Sequence, residues 1–149
     1  MSYLVDLAKN VYKENNSSDI YDILINALLK IEDNLNPKII TNIVEIKYLT
    51  YLGVGLNLDG CSVCGLTSVV SMSYSKGGYV CINHVGKDKV MDDVTLKLFK
   101  AYYYIDISKI SELNIKEKVV NEIDHFLNIY YKEYTGLYLK SKSFLDKIK

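Results

Sequence analysis

The stretch CSVCGLTSVVSMSYSKGGYVCINH, residues 61–84, holds all three cysteines of the chain. They stand as Cys61-Ser62-Val63-Cys64 and Cys81-Ile82-Asn83-His84, with sixteen residues between the two pairs. A two-residue gap lets both side chains of a pair turn toward one centre, and C-x2-C followed by C-x2-H is the spacing of a tetrahedral zinc site. The candidate ligands are therefore Cys61, Cys64, Cys81 and His84, with Zn²⁺ as the ion. Four protein donors complete the coordination shell, which gives the ion a structural role and a share of the folding free energy. Between the pairs, Ser68–Tyr74 and Tyr79–Cys81 flank Ser75-Lys76-Gly77-Gly78, the pattern of a β-hairpin. A lone two-stranded hairpin is marginal in water, and here each end carries a ligand pair that would clamp it.

Three other readings compete for the quartet. A reduced dithiol beside an unrelated Cys81 and His84 is the first, and the hairpin between the pairs favours ligation instead. A redox C-x-x-C would sit near a βαβ unit, and none is legible. A zinc deaminase would show H-x-E and P-C-x-x-C, and the chain has neither. No catalytic constellation emerges, so the expectation is a protein that is not an enzyme.

Outward from this stretch the pattern is helical. Residues 3–14 place Leu4, Leu7, Ala8 and Val11 at helical spacing. Asn15-Asn16-Ser17-Ser18 breaks that run and supplies a cap for a second helix over about 18–35. Its apolar face is Ile20, Ile23, Leu24, Ala27, Leu28 and Ile31. Asn36-Pro37 reads as an N-cap with proline at the first helical position. The third helix, to about Leu52, is apolar on nearly every side, as the central helix of a core should be. Gly53 and Gly55 end it. After Val90, Asp92 or Asp93 caps a helix to about Ile105 with Val94, Leu98, Ala101 and Tyr102 inward. A longer helix spans about Ile115–Tyr134, Gly136 fits its C-cap, and Ser141 can open a last short helix. The expected fold is mostly α. It is one domain over residues 1–149, a helical bundle with an inserted zinc-clamped, zinc-finger-like β-hairpin at about 56–90.

Composition fits that picture. The 149 residues suffice for one domain with a substantial core. Hydrophobic residues make up 49% and charged residues 24%, ordinary for a soluble globular chain. The 18 basic and 18 acidic residues cancel, so no global field announces a nucleic-acid or membrane partner. Every basic residue is lysine, so anion contacts must use point-charge ammonium groups and not the guanidinium fork. No stretch reaches about 18 uninterrupted apolar residues, and no basic-then-apolar leader opens the chain. Three cysteines without an export signal point to a reducing compartment, and cytoplasm is the expectation.

Three segments carry a family resemblance. The first is Leu49-Thr-Tyr-Leu-Gly53-Val-Gly-Leu-Asn-Leu-Asp-Gly-Cys61-Ser-Val-Cys64-Gly65, a helix end running into the first ligand pair. The second is Gly77-Gly78-Tyr79-Val80-Cys81, and the third is Tyr134-Thr-Gly136-Leu-Tyr-Leu139-Lys140-Ser141-Lys142-Ser143-Phe144-Leu145. In this order, with helices between them, the chain resembles the C-terminal region of the bacterial recombination-mediator family RecO. That family places its helical, zinc-carrying domain after an OB fold, whereas residues 1–52 read as helix and not as a five-stranded barrel. The expectation is a piece that begins just after the OB fold, with a natural short homologue as the alternative. The family's fourth ligand is usually cysteine; His84 departs from that and keeps a Cys₃His set within zinc chemistry.

The resemblance implies a non-catalytic role in DNA repair and recombination. Its implied partners are the acidic, apolar C-terminal tail of single-stranded-DNA-binding protein, RecR, and single-stranded DNA held chiefly by the OB domain. Strand annealing and assistance in loading RecA are the implied activities. The alternative is a zinc-ribbon-like module that binds nucleic acid directly.

Three further features have ordinary readings beside functional ones. His125 lies mid-helix beside Asp124 without a companion nucleophile, and reads as a surface or edge-of-core residue. The fourteen tyrosines include Tyr102-Tyr103-Tyr104 and Tyr130-Tyr131-Tyr134, which could stack on bases, though helical spacing favours core packing. Residues 132–149 carry five lysines and two acids. Lys132, Lys140 and Lys142 could meet phosphates or an acidic peptide, and a solvated helix end explains the same pattern.

Overall fold

In the computed structural model, which describes residues 2–87 and 89–137, helix α3 (Pro37–Tyr51) is the axis of the core. It starts as its sequence dictates: the Asn36 side chain accepts from the N–H groups of Lys38 at 2.9 Å and Ile39 at 3.4 Å, and Pro37 takes the first position. Helices α1 (Ser2–Glu14), α2 (Asp19–Glu32), α4 (Asp93–Tyr104) and α5 (Glu117–Tyr134) all pack against it. Ile39, Ile40, Ile43, Val44, Ile46, Tyr48 and Leu49 are buried among them, each such side chain contributing about 1.5–3 kcal/mol. The Tyr48 hydroxyl donates to the Ile20 carbonyl at 2.6 Å, joining α3 to α2.

The four apolar positions of α1, Leu4, Leu7, Ala8 and Val11, are all buried as their spacing requires. Helix α4 differs from expectation by about one position. Its buried face is Thr95, Leu96, Phe99 and Tyr102, while Val94 and Ala101 are exposed and Leu98 is half-buried. Phe99 sets this rotation: its ring meets Phe126 of α5 edge-on, with centroids 5.3 Å apart. A short 3-10 turn at Ile107–Lys109, unmarked by the sequence pattern, buries Ile107 and leads toward α5. The short helix expected from Ser141 lies outside the described residues.

Helix α3 is apolar, yet it carries a polar seam. Thr41, Asn42 and Glu45 are all buried, Glu45 to 1% exposure. Glu45 accepts from the Tyr3 hydroxyl at 2.7 Å and from the Asn42 amide at 3.0 Å, and that amide also donates to Asp124 of α5 at 2.9 Å. Lys38 approaches Asp124 at 3.7 Å, and the Tyr131 hydroxyl donates to the Glu45 carbonyl at 2.6 Å. Three helices are therefore cross-linked through one buried network, within which Asn42 Oδ1 has no partner among the described residues.

Strands β1 (Ser71–Ser73) and β2 (Gly78–Val80) form the antiparallel hairpin, shorter than the sequence pattern implied. Gly78 lies in β2 and not in the turn, because the preceding loop lies across it. Asn57 forms a parallel bridge to Gly78, with Asn57 N–H donating to the Gly77 carbonyl at 2.9 Å and Tyr79 N–H to the Asn57 carbonyl at 3.0 Å. A Cβ on Gly78 would stand 2.3 Å from that carbonyl oxygen, at φ +157°. Gly78→Ala is expected to cost on the order of 3 kcal/mol from clash plus backbone strain; a wild-type urea midpoint would contradict the close crossing.

The hairpin is anchored to the helices. Tyr74 stacks on Phe126 with centroids 4.5 Å apart, the Tyr79 hydroxyl donates to the Leu96 carbonyl, and Tyr130 of α5 donates to the Val54 carbonyl at 3.0 Å. No helix among the described residues is long and apolar enough to cross a membrane.

Candidate metal centre

Both ligand pairs lie on tight turns at the hairpin ends. In the first, Gly65 N–H donates to the Cys61 carbonyl and Cys61 N–H to the Leu66 carbonyl, each at 2.8 Å. Gly65 closes this turn at φ +80°, a conformation that suits glycine. In the second, His84 N–H donates to the Cys81 carbonyl at 3.0 Å and Gly86 follows at φ +58°. Ser62 N–H donates to the Tyr79 carbonyl at 2.7 Å, fixing the first turn to β2. Val80 and Val85 pack with Cys61 and Cys81 into a small apolar cluster below the site.

These turns bring the donor atoms together. Cys64 Sγ lies 3.7 Å from Cys81 Sγ, and His84 Nδ1 lies 3.7 Å from Cys61 Sγ and 3.3 Å from Cys81 Sγ. All four donors fall within 4.8 Å of one another, and the three cysteines are free thiols. A tetrahedron with Zn–S of about 2.3 Å and Zn–N of about 2.0 Å has S–S edges of about 3.8 Å and S–N edges of about 3.5 Å. Those three spacings lie close to such edges, and with all four donors within 4.8 Å of one another the cluster could hold a metal ion. The ring presents Nδ1, which leaves Nε2 to carry the proton of a neutral ligand.

The thiols differ in environment. Cys61 and Cys81 are buried, Cys64 is exposed and His84 is half-buried. Burial raises the Cys61 thiol, but the backbone N–H groups of Cys64, Cys81 and Val63 outweigh it and bring the group down to about 6. For Cys64 the Leu66 N–H pulls downward, yet partial desolvation of the sulfur and the neighbouring Cys81 and Cys61 leave it raised.

Residues 1–143 match the family described as Recombination protein O C terminal. The chain belongs to that family. It is similar to the DNA repair protein RecO of Bacillus cytotoxicus, 29% identical over 152 residues that cover 99% of this chain and 61% of the relative. The DNA repair protein RecO of Bacillus velezensis is 32% identical over 133 residues, 87% of this chain and 52% of that protein. That of Bacillus subtilis is 28% identical over 152 residues, 99% and 60%. The chain thus spans less than two thirds of the length of these relatives. No solved structure matches it.

The other positions singled out by sequence are placed as follows. His125 is exposed on α5 beside the buried Asp124. Lys132 is exposed in the last turn of α5, away from the Cys/His cluster in sequence; Lys140 and Lys142 lie outside the described residues. The tyrosine cluster divides: Tyr102 is buried, Tyr103 half-buried and Tyr104 exposed. Sequence reasoning missed a cleft of about 420 Å³ between α2, α3 and the end of α4, with Lys47 on its wall. A lysine among the apolar residues Ile46, Tyr48 and Leu49 of α3 was the available signal.

His84 gives a direct test of the ligand set. His84→Ala is expected to abolish stoichiometric zinc, while His84→Cys retains it, since a thiolate can close the same shell. Elemental analysis of the two purified variants checks this; full zinc in the alanine variant would remove His84 from the site.

Proposed function

We propose that this chain is the helical, partner-binding domain of a DNA repair and recombination mediator, held in shape by one structural Zn²⁺ on Cys61, Cys64, Cys81 and His84. The observation that supports it most is the match over residues 1–143 to a family whose relatives are named DNA repair proteins. The residues act as a single domain over 1–149, with the metal module at about 56–90, in the cytoplasm. Four protein donors leave no open coordination position, so the ion orients no substrate and the domain is not an enzyme. Its work is docking. It binds the acidic, apolar tail of single-stranded-DNA-binding protein, cooperates with RecR, and assists strand annealing and RecA loading. Single-stranded DNA is held mainly by the OB domain of the longer relatives.

Lys132, Lys140 and Lys142 supply positive charge near the end of the chain for the acidic tail. Titrating a fluorescently labelled tail peptide against the protein tests the reading: saturable binding is expected, weakened by about two- to fivefold in Lys132→Glu, as for a rim charge. Absence of binding at low salt would overturn it. Direct nucleic-acid binding by the metal module is the alternative: its exposed side chains include Lys76, Lys87 and Lys89 beside the apolar Val63, Leu66 and Ile82.

A further inference from the structure

The cleft walled by Lys47, Thr50 and Tyr51 of α3, Asn26 of α2, and Tyr103 and Tyr104 at the end of α4 combines several kinds of group. It has aromatic surface, the aliphatic side chains of Ile23, Ile105 and Ile107, neutral polar edges, one cation and one carboxylate, Asp106. Tyr104 is 63% exposed and meets Tyr103 edge-on, with centroids 4.9 Å apart and planes at 87°, so its ring is open to solvent. The Asn26 amide makes no side-chain hydrogen bond to a described residue. Lys47 is half-buried and donates one of its three N–H groups to the Tyr103 carbonyl at 2.8 Å, leaving two for another acceptor. Burial lowers the Lys47 ammonium while Asp106 opposes that, so an added anion would relieve a partly desolvated charge. The Asp106 carboxylate is engaged in its own turn, accepting from Ser108 N–H at 3.0 Å and Ser108 Oγ at 2.7 Å.

We infer that this cleft is a binding site for a nucleotide of single-stranded DNA, with Tyr104 stacking on a base and Lys47 meeting a phosphate. The volume of about 420 Å³ suits one nucleotide, not a duplex. An exposed ring beside a cation is the combination by which proteins hold single strands without reading sequence. Two features carry the assignment: the Tyr104 ring is exposed for stacking, and Lys47 keeps two N–H groups for a phosphate. The inference rests on the reading that the domain serves single-strand repair, and it adds a contact separate from the OB domain and from the metal module.

Fluorescence anisotropy with labelled oligothymidylate tests it on the purified protein. Tyr104→Ala is expected to weaken binding about tenfold. Lys47→Met, which keeps the buried stem, should weaken it and lower the salt slope by about one. Tyr21→Ala on α2, exposed and not among the residues lining the cleft, should leave binding unchanged. Iodouracil photo-crosslinks should map to Tyr103 or Tyr104. Thermal melts of each variant separate loss of binding from loss of fold. Undiminished binding by folded Tyr104→Ala and Lys47→Met, or crosslinks confined to the metal module, would overturn the inference while leaving the repair reading standing. No oligothymidylate binding by the wild-type protein at low salt would also overturn it, and the tail-peptide titration would then judge the repair reading separately. If the tail peptide and not the oligonucleotide depends on Tyr104, the cleft is a peptide site and the nucleotide assignment fails.

Discussion

Cys81→Ser is expected to lose the metal and to lower the thermal midpoint by roughly 10–20 °C, the largest effect of any single ligand change. Cys81 is fully buried, its sulfur lies 3.7 Å from Cys64 Sγ and 3.3 Å from His84 Nδ1, and it begins the second ligand turn directly after β2. Losing the ion leaves three closely spaced sulfur and nitrogen donors with no cation, and a hairpin of three residues per strand that is marginal by itself. We expect a loss on the order of 3–6 kcal/mol, below the about 10–16 kcal/mol apparent for peptides that fold only with zinc. The difference arises because part of the module is already anchored, through Tyr74 on Phe126 and Tyr79 on the Leu96 carbonyl, with Tyr130 on the Val54 carbonyl holding the loop that leads into it. Those contacts belong mostly to α4 and α5, so the helical circular dichroism of the variant should persist at low temperature while its melt shifts down. Dialysis of the wild-type protein against a strong chelator should give the same shift, reversed by added Zn²⁺. An unchanged midpoint in the metal-free protein would show that the cluster contributes nothing to the fold.

Glu45→Ala is expected to destabilise the domain by about 3–5 kcal/mol. The cost comes from what the carboxylate leaves behind. Tyr3 loses the acceptor at 2.7 Å, Asn42 loses one at 3.0 Å, and both remain buried. Asn42 would then hold Asp124 alone, loosening the joint between α3 and α5. The Tyr3 hydroxyl is already held well above its ordinary range by burial first and by Glu45 second, so it cannot escape the loss by ionising. Glu45→Gln preserves shape and one acceptor oxygen, and should cost only about 1 kcal/mol. Guanidinium unfolding of the two variants checks the contrast. An alanine variant within about 1 kcal/mol of wild type would mean that the network is not a structural joint.

These two sites divide what could be read in advance. The metal ligands were legible because their geometry is local: two-residue gaps on tight turns aim each pair at one point before any long-range packing is known. The helices were legible for a related reason, since Leu4, Leu7, Ala8 and Val11 declare a buried stripe through their spacing alone. The joint of Tyr3, Asn42, Glu45 and Asp124 was not legible, because its members lie up to 121 positions apart and each alone resembles a surface residue. The rotation of α4 was hidden likewise. Thr95 is polar in sequence yet buried, and only the Phe99–Phe126 contact decides which side of the helix faces inward.

Sequence by itself determined that this chain is helical around a central apolar helix, and that four soft donors stand at the spacing of one ion. Only tertiary structure decided that His84 offers Nδ1, that Gly78 must admit the Asn57 backbone, and that Lys47 shares a cleft with Tyr51, Tyr103 and Tyr104. The physical reason is separation along the chain. Periodicity and ligand gaps act over a few residues, where backbone geometry is nearly fixed, while clefts and buried polar joints arise where remote segments meet.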